Sequence, residues 1–391
     1  MAITRKKFFI ISSVALALIG VLSLYQLLGS GIEKTYHSLY SPPHPMQYSQ
    51  FSGSDSGFQG TYRAKVLEII QEEERIVEGT NIKAVYQLMK VKFLEGPKKD
   101  DIVEFENDYI LLKKGDTFFM DYFKLLDGEE GYNFQEVDRK NPILLLFLVF
   151  LVPFLLLTGL KGFRSLVSLF GTFFIIMYFL LPRLLEGSSP VATSIFFAVA
   201  ILAVVMYITH GVNRLTHAAF IGTTLTVAVV ALVAEISVSI ARLSGIASEE
   251  ALYLNIGTDG TLDFTGIFLG AIIIGAIGVL DDVAVTQSSA VKELRNASSE
   301  LSRSDIFLKA MRIGKDHVSS LVNTLALAYT GASLPLLLLF SLSDTAPMLL
   351  ISKEVMSAEI VRTIVGSLGL VLTVPITTAI AVMFLSQNKK K

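Results

Sequence analysis

The sequence predicts an α-helical polytopic membrane protein of about eight transmembrane helices with a small extracytoplasmic β domain, and three observations carry that prediction. Of the 391 residues, 52% are hydrophobic and only 17% are charged, too apolar a balance for a soluble chain of this length. The apolar residues gather into runs of about 20, the length that crosses a hydrocarbon core. Between the first run and the second lies a charged stretch whose polarity alternates, the period of half-buried strands. A net charge of −2 without a basic stripe gives no sign of nucleic-acid binding. The absence of cysteine excludes disulfides, thiolate metal sites and cysteine nucleophiles, so the β domain must fold on packing alone.

The elements follow in order. Residues 1–29 open with Arg5, Lys6 and Lys7, then run apolar from Phe8 to Leu28 without a small-residue cleavage site; this reads as a retained anchor rather than a cleaved signal. Residues 30–141 begin with a linker (Ser41, Pro42, Pro43, Pro45, then Ser52 to Gly57). Strands follow at 62–70, 84–93, 101–106, 117–125 and 132–137, divided by turns such as Glu95-Gly96-Pro97 and Lys114-Gly115-Asp116. Five short strands permit a five-stranded, OB-like barrel. Residues 142–385 hold seven spans, at 142–160, 165–184, 190–209, 215–243, 264–280, 318–342 and 359–385. Residues 386–391 form a basic tail ending in Lys389, Lys390 and Lys391. A cytoplasmic N-terminus puts about 15 Lys and Arg in the inner segments, including six between Lys292 and Lys315. Only about four (Arg183, Arg242, Lys353, Arg362) fall in the short outer loops. Both termini are therefore expected in the cytoplasm and the β domain outside.

Polar residues within such spans carry the candidate chemistry, because lipid offers them no partner. The span at 264–280 has close-approach spacing at Gly266 and Gly270, and again at Ala271 and Gly275, with Gly278 beyond. It ends in Asp281-Asp282. Carboxylates oppose the dipole at a helix's carbonyl end, so this pair either caps a new helix or meets a cation, a proton or a basic neighbour. Ser288, Ser289 and Glu293 follow about two turns later if the helix continues. The next span opens with Lys315-Asp316-His317 and carries Asn323, Thr324, Tyr329, Thr330 and Gly331. The last begins with the (i, i+3) pair Glu359 and Arg362 and contains Gly366, Thr373, Pro375, Thr377 and Thr378. Pro375 frees a backbone carbonyl there, a device transporters use to build sites. Glu235 lies inside a span, where snorkelling or pairing with Arg242 is the structural alternative to a functional role. His210 and His217 flank a short basic loop and read as interfacial anchors. No ligand cluster has metal spacing, and no cofactor is expected. An aspartyl protease built on Asp281 and Asp316 lacks the Gly-x-Gly-Asp context, and the chain is not expected to be an enzyme.

Four stretches together resemble the YibE/F family of bacterial multi-pass membrane proteins: GVNRLTHAA at 211–219, GAIGVLDDVAVTQSSAVKEL at 275–294, GKDH at 314–317 with VNTLALAYTG at 322–331, and RTIVGSLG at 362–369 leading to VPIT at 374–377. The resemblance is strongest over residues 140–385. The N-terminal anchor and external domain resemble the longer, YibE-type members, which implies a bacterial cell (cytoplasmic) membrane location and, besides the lipid bilayer, a paralogous YibF-type subunit or a homo-oligomer as partner. The family pattern falls on Asp281 or Asp282, Ser288, Ser289, Glu293, Asp316, Asn323, Thr324, Tyr329, Gly331, Arg362, Gly366, Pro375 and Thr377. Two aspartates stand where the pattern needs one, and Glu235 lies outside the motifs.

Two functions compete. In the first, a permease-like protein moves an ion or small solute through a polar pathway formed by the last three spans, with the aspartates, Asn323-Thr324 and Pro375-Thr377 converging on it. In the second, a non-transporting scaffold or assembly factor acts through its β domain, while the basic stretch at 292–315 contacts a protein or anionic lipid.

Overall fold

The computed structural model describes residues 57–76, 83–124, 128–298, 300–343 and 345–385; the expected anchor, most of the linker and the basic tail lie outside them. The chain divides into two compact units, one ending at Leu157 and one beginning at Thr158.

The first unit contains five antiparallel strands, β1 (Gly57–Ile76), β2 (Lys83–Phe93), β3 (Ile102–Asn107), β4 (Thr117–Lys124) and β5 (Glu130–Val137), in the order β3-β2-β1-β4-β5. β1 is longer than its alternation predicts. Its second half, the polar run through Glu72, Glu73 and Glu74, is held as strand by its ladder with β2, while its first half pairs with β4. Register shifts at Phe58/Gly60, Val66/Glu68 and Ile69/Gln71 mark irregularities along it, and bulges of this kind bend a strand. The bend brings distant strands together. Three strand spacings, roughly 14 Å in a flat sheet, separate β3 from β4, yet the Phe105 and Phe118 rings lie 5.5 Å apart. Phe93 of β2 likewise meets Tyr132 of β5 at 5.7 Å. The sheet therefore curls around a core of Val66, Met89, Val91, Phe93, Phe105, Phe118 and Met120. The expected five strands are present, but no ladder among the described residues closes them into a barrel. Helix α1 (Lys140–Thr158) completes the unit.

The second unit is helical: α2 (Leu160–Leu185), α3 (Pro190–His210), α4 (Arg214–Ala241), α5 (Glu249–Gly257), α6 (Phe264–Ala297), α7 (Arg303–Ala332), α8 (Leu334–Ser341), α9 (Pro347–Ser352) and α10 (Glu354–Leu385). Helices α1, α2, α3, α4, α6 and α10 are long and apolar enough to cross a membrane, and α7 with α8 makes a seventh if the bent pair is one span. The chain is thus a membrane protein with six or seven candidate spans among the described residues; an eighth would be the anchor outside them.

Two differences from the sequence expectation have local causes. The span expected at 318–342 breaks by 63° between α7 and α8, because Pro335 follows at the start of α8 and has no N–H to continue the ladder. The segment after Leu280 does not begin a new helix. α6 runs unbroken for 34 residues, about 50 Å of helix, and its N-cap is Asp263, whose carboxylate accepts the Gly266 N–H at 2.9 Å. Its start packs closely on α3: a Cβ at Gly266 would stand 3.1 Å from Pro190, and one at Gly270 would stand 2.3 Å from Ser194 Oγ.

Candidate functional site

A cavity of about 430 Å³ opens among α2, α3 and α6. Each helix supplies one face. Ser165, Ser168 and Thr172 of α2 follow (i, i+3, i+7) spacing; Thr209 and His210 end α3; Gly278, Asp281 and Asp282 of α6 face them, with Ile176, Ile201, Val205 and Ile277 as apolar wall. Two of the hydroxyls meet, and two turn back to the α2 backbone. Ser168, 2% exposed, donates to the Ser165 carbonyl at 2.8 Å and lies 3.1 Å from Thr209 Oγ1. With its proton so committed, Ser168 accepts from Thr209. Thr172 donates to the Ser168 carbonyl at 3.0 Å, which leaves its oxygen as an acceptor. Asp281 accepts the Asp282 N–H at 2.9 Å, and His210 lies within electrostatic reach of Asp282 and Lys161. The lining therefore offers oxygen acceptors and negative charge, a set suited to a proton or a hard cation. Among the described residues no group of three His, Cys, Asp or Glu side chains could hold a metal ion.

A second polar group lies where α4, α6, α7 and α10 meet. Gln287 is buried and donates from Nε2 to the Ala310 carbonyl and to Thr378 Oγ1, both at 2.7 Å. Thr373 and Thr378 donate to the carbonyls four residues back, at 2.8 and 2.6 Å. Ser288 and Thr377 are also buried, and their hydroxyls have no partner among the described residues. Pro375 lies within this stretch of α10. Gly222 of α4 permits the approach: a Cβ there would meet Thr377 Oγ1 at 2.5 Å and its Cα at 3.0 Å.

A third group faces outward from α7. Its inner face, Val318, Leu321, Val322 and Leu325, packs on the helical core, so Asp316, Ser319, Ser320, Asn323, Thr324 and Thr330 are exposed. Tyr329 is half-buried, with its hydroxyl near Gly275, and Gly331 meets open space. Ser289 is half-buried and Glu293 exposed, so neither shares the buried setting of Ser288. Arg362 pairs with Glu359 at 2.6 Å and stands over the Phe268 ring at 5.4 Å; Gly366 packs against Leu325. Glu235 is exposed on α4, and no ion pair among the described residues joins it to Arg242.

The helices do not bring the expected residues of the last three spans into one group. α6 changes neighbours along its length, facing α2 and α3 at Asp281 but α7 and α10 at Gln287, and α7 turns Asn323 and Thr324 away from both. Sequence reasoning missed Ser165, Ser168, Thr172 and Thr209 as cavity residues and Gln287 and Gly222 as the seam around Thr377 and Thr378. The helical spacing of Ser165, Ser168 and Thr172 in an otherwise apolar span was the available signal.

The family described as YibE/F-like protein matches residues 146–387, more than half of the chain, and the chain belongs to that family. No curated protein and no solved structure matches it.

Proposed function

We propose that this YibE/F-like membrane protein is a permease of the bacterial cell membrane, moving an ion or small solute through the cavity among α2, α3 and α6. The observation that carries the reading is two adjacent carboxylates midway along an unbroken 34-residue helix, Asp281 half-buried and Asp282 exposed, both lining a 430 Å³ cavity. Carboxylates at such a position are expensive in an apolar setting, and pathways for ions or protons are where they recur. Two carboxylates among hydroxyl oxygens favour a cation or proton over an anion. The chain performs no covalent chemistry in this reading, and it places both termini in the cytoplasm and the β domain outside, as the distribution of Lys and Arg supports.

The test is reconstitution into liposomes and a cation, proton and small-solute flux screen, with Asp281→Asn/Asp282→Asn beside the unaltered chain. Flux that depends on the pair supports the permease. Equal flux from the double variant removes the cavity from the mechanism, and no flux from well-inserted protein favours the alternative. That alternative is a non-transporting scaffold acting through the β domain. The observation in its favour is the exposed run Tyr109, Ile110 and Leu111 after β3, an apolar surface of the kind that binds partners. Tyr109→Ser/Leu111→Ser would abolish a scaffold's function and leave solute flux unchanged.

A further inference from the structure

From the outward face of α7 we infer that two copies of this chain associate through it. Ser319, Ser320, Asn323, Thr324, Leu327 and Thr330 are exposed and recur at the three- and four-residue spacing that makes one stripe. On the opposite side of the same helix, Val318, Leu321, Val322 and Leu325 join the core. With α7 and α8 crossing the membrane as one bent span, a polar side turned outward places those groups in lipid unless protein covers them.

The hydrogen bonds indicate what covers it. Ser319, Thr324 and Thr330 donate back to the carbonyls of Lys315, Ser320 and Ala326 at 2.9, 3.1 and 2.8 Å. Their protons are committed and only their oxygens can still accept. Asn323 has two N–H donors and a carbonyl acceptor, and none of them finds a partner among the described residues. A covering surface must therefore supply an acceptor and a donor opposite Asn323, and a donor for the hydroxyls. The stripe itself is such a surface. Across a two-fold axis, one Asn323 amide can donate to the other's carbonyl and to the facing hydroxyl oxygens, so identical faces satisfy one another. The chain's own N-terminal apolar run does not match: its centre, VALALIGVL at 14–22, carries no hydrogen-bonding side chain.

The natural absence of cysteine makes the test direct. Single cysteines at Ser320→Cys and Leu327→Cys, which leave Asn323 intact, are compared in full-length protein in its own membranes with Leu232→Cys and Ile240→Cys, exposed on α4. Mild oxidation should give covalent dimers from the α7 pair and not from the α4 pair. Asn323→Leu should weaken dimerisation about tenfold by subunit exchange, with Asn323→Gln restoring it. Three results would overturn the inference: no dimer from α7 cysteines that still react with maleimide, equal dimers from α4, or cross-linking only to a different protein.

Discussion

The two units solve the same problem, a polar group that must not be stranded, in opposite ways. The β domain uses charge. Arg63 meets Asp138 at 2.5 Å, Lys92 meets Asp100 at 2.8 Å, and Lys98 meets Glu130 at 2.6 Å, with Tyr122 and Tyr132 also donating to Glu130. The helical unit relies on its own backbone. Four of its buried threonines, Thr223, Thr226, Thr373 and Thr378, turn back to carbonyls four residues earlier, and neutral groups such as the Gln287 amide and the Ser168–Thr209 hydroxyl pair bridge between helices. Solvent explains the contrast: water tolerates ion pairs at a surface, whereas a helix in lipid can satisfy a hydroxyl locally without a charge. The lesson is in the exceptions. Asp281, Asp282, the Asn323 amide and the buried hydroxyls of Ser288 and Thr377 are among what backbone satisfaction in the helical unit leaves over.

The comparison can be broken at its strongest point first. Gly222→Leu drives side-chain atoms into the Thr377 backbone and should cost about 3 kcal/mol or prevent folding, read as loss of the thermal transition in detergent while the β1–β4 amides stay protected. Arg63→Met should cost about 2 kcal/mol, because Asp138, 4% exposed, is left charged without its partner; hydrogen exchange along β1, β4 and β5 would report it and α4 would not respond. Gln287→Leu should cost about 1 kcal/mol, since polar contacts between membrane helices are individually modest, measured as a shift in the detergent melt. Acid gives the smallest and most selective effect. The Lys98 hydrogen bond, then those of Tyr132 and Tyr122, hold the Glu130 carboxyl down at about 2 from its ordinary 4.5. Its contribution is therefore whole above pH 4.5 and fades as pH falls toward 2, so β5 amide protection should weaken over that range and lose this dependence in Glu130→Gln.

Most of the architecture was legible because it rests on period. Five strands and the long apolar helices declare themselves by alternation and run length, and family membership follows from motifs within residues 146–387. What stayed hidden depends on neighbours. The tail of β1 is polar and becomes strand through its ladder with β2. Asp281 and Asp282 read equally well as a cap until α6 is seen to run through them, and Pro335 was passed over because the apolar pattern continues across it. Partners of Asn323 and Pro375 cannot be read from spacing along one helix, since rotation about each helix axis is fixed by packing.

One contact fixes the order in which the bundle can be completed. Glu354 at the start of α10 accepts three donors through one oxygen: Ser244 N–H at 2.7 Å, Ser244 Oγ at 2.8 Å and Gly245 N–H at 2.9 Å. Gly245, at φ +82°, has no room for a side chain against the Phe264 carbonyl. The turn that ends α4 is thus made about 110 residues before the carboxylate that satisfies it, and Gly222 waits longer still for Thr377. During synthesis, α4 is made with two docking points that belong to α10, the last of the described helices. A chain that stops before residue 354 therefore lacks both the carboxylate that satisfies the turn after α4 and the threonine that fills the space beside Gly222.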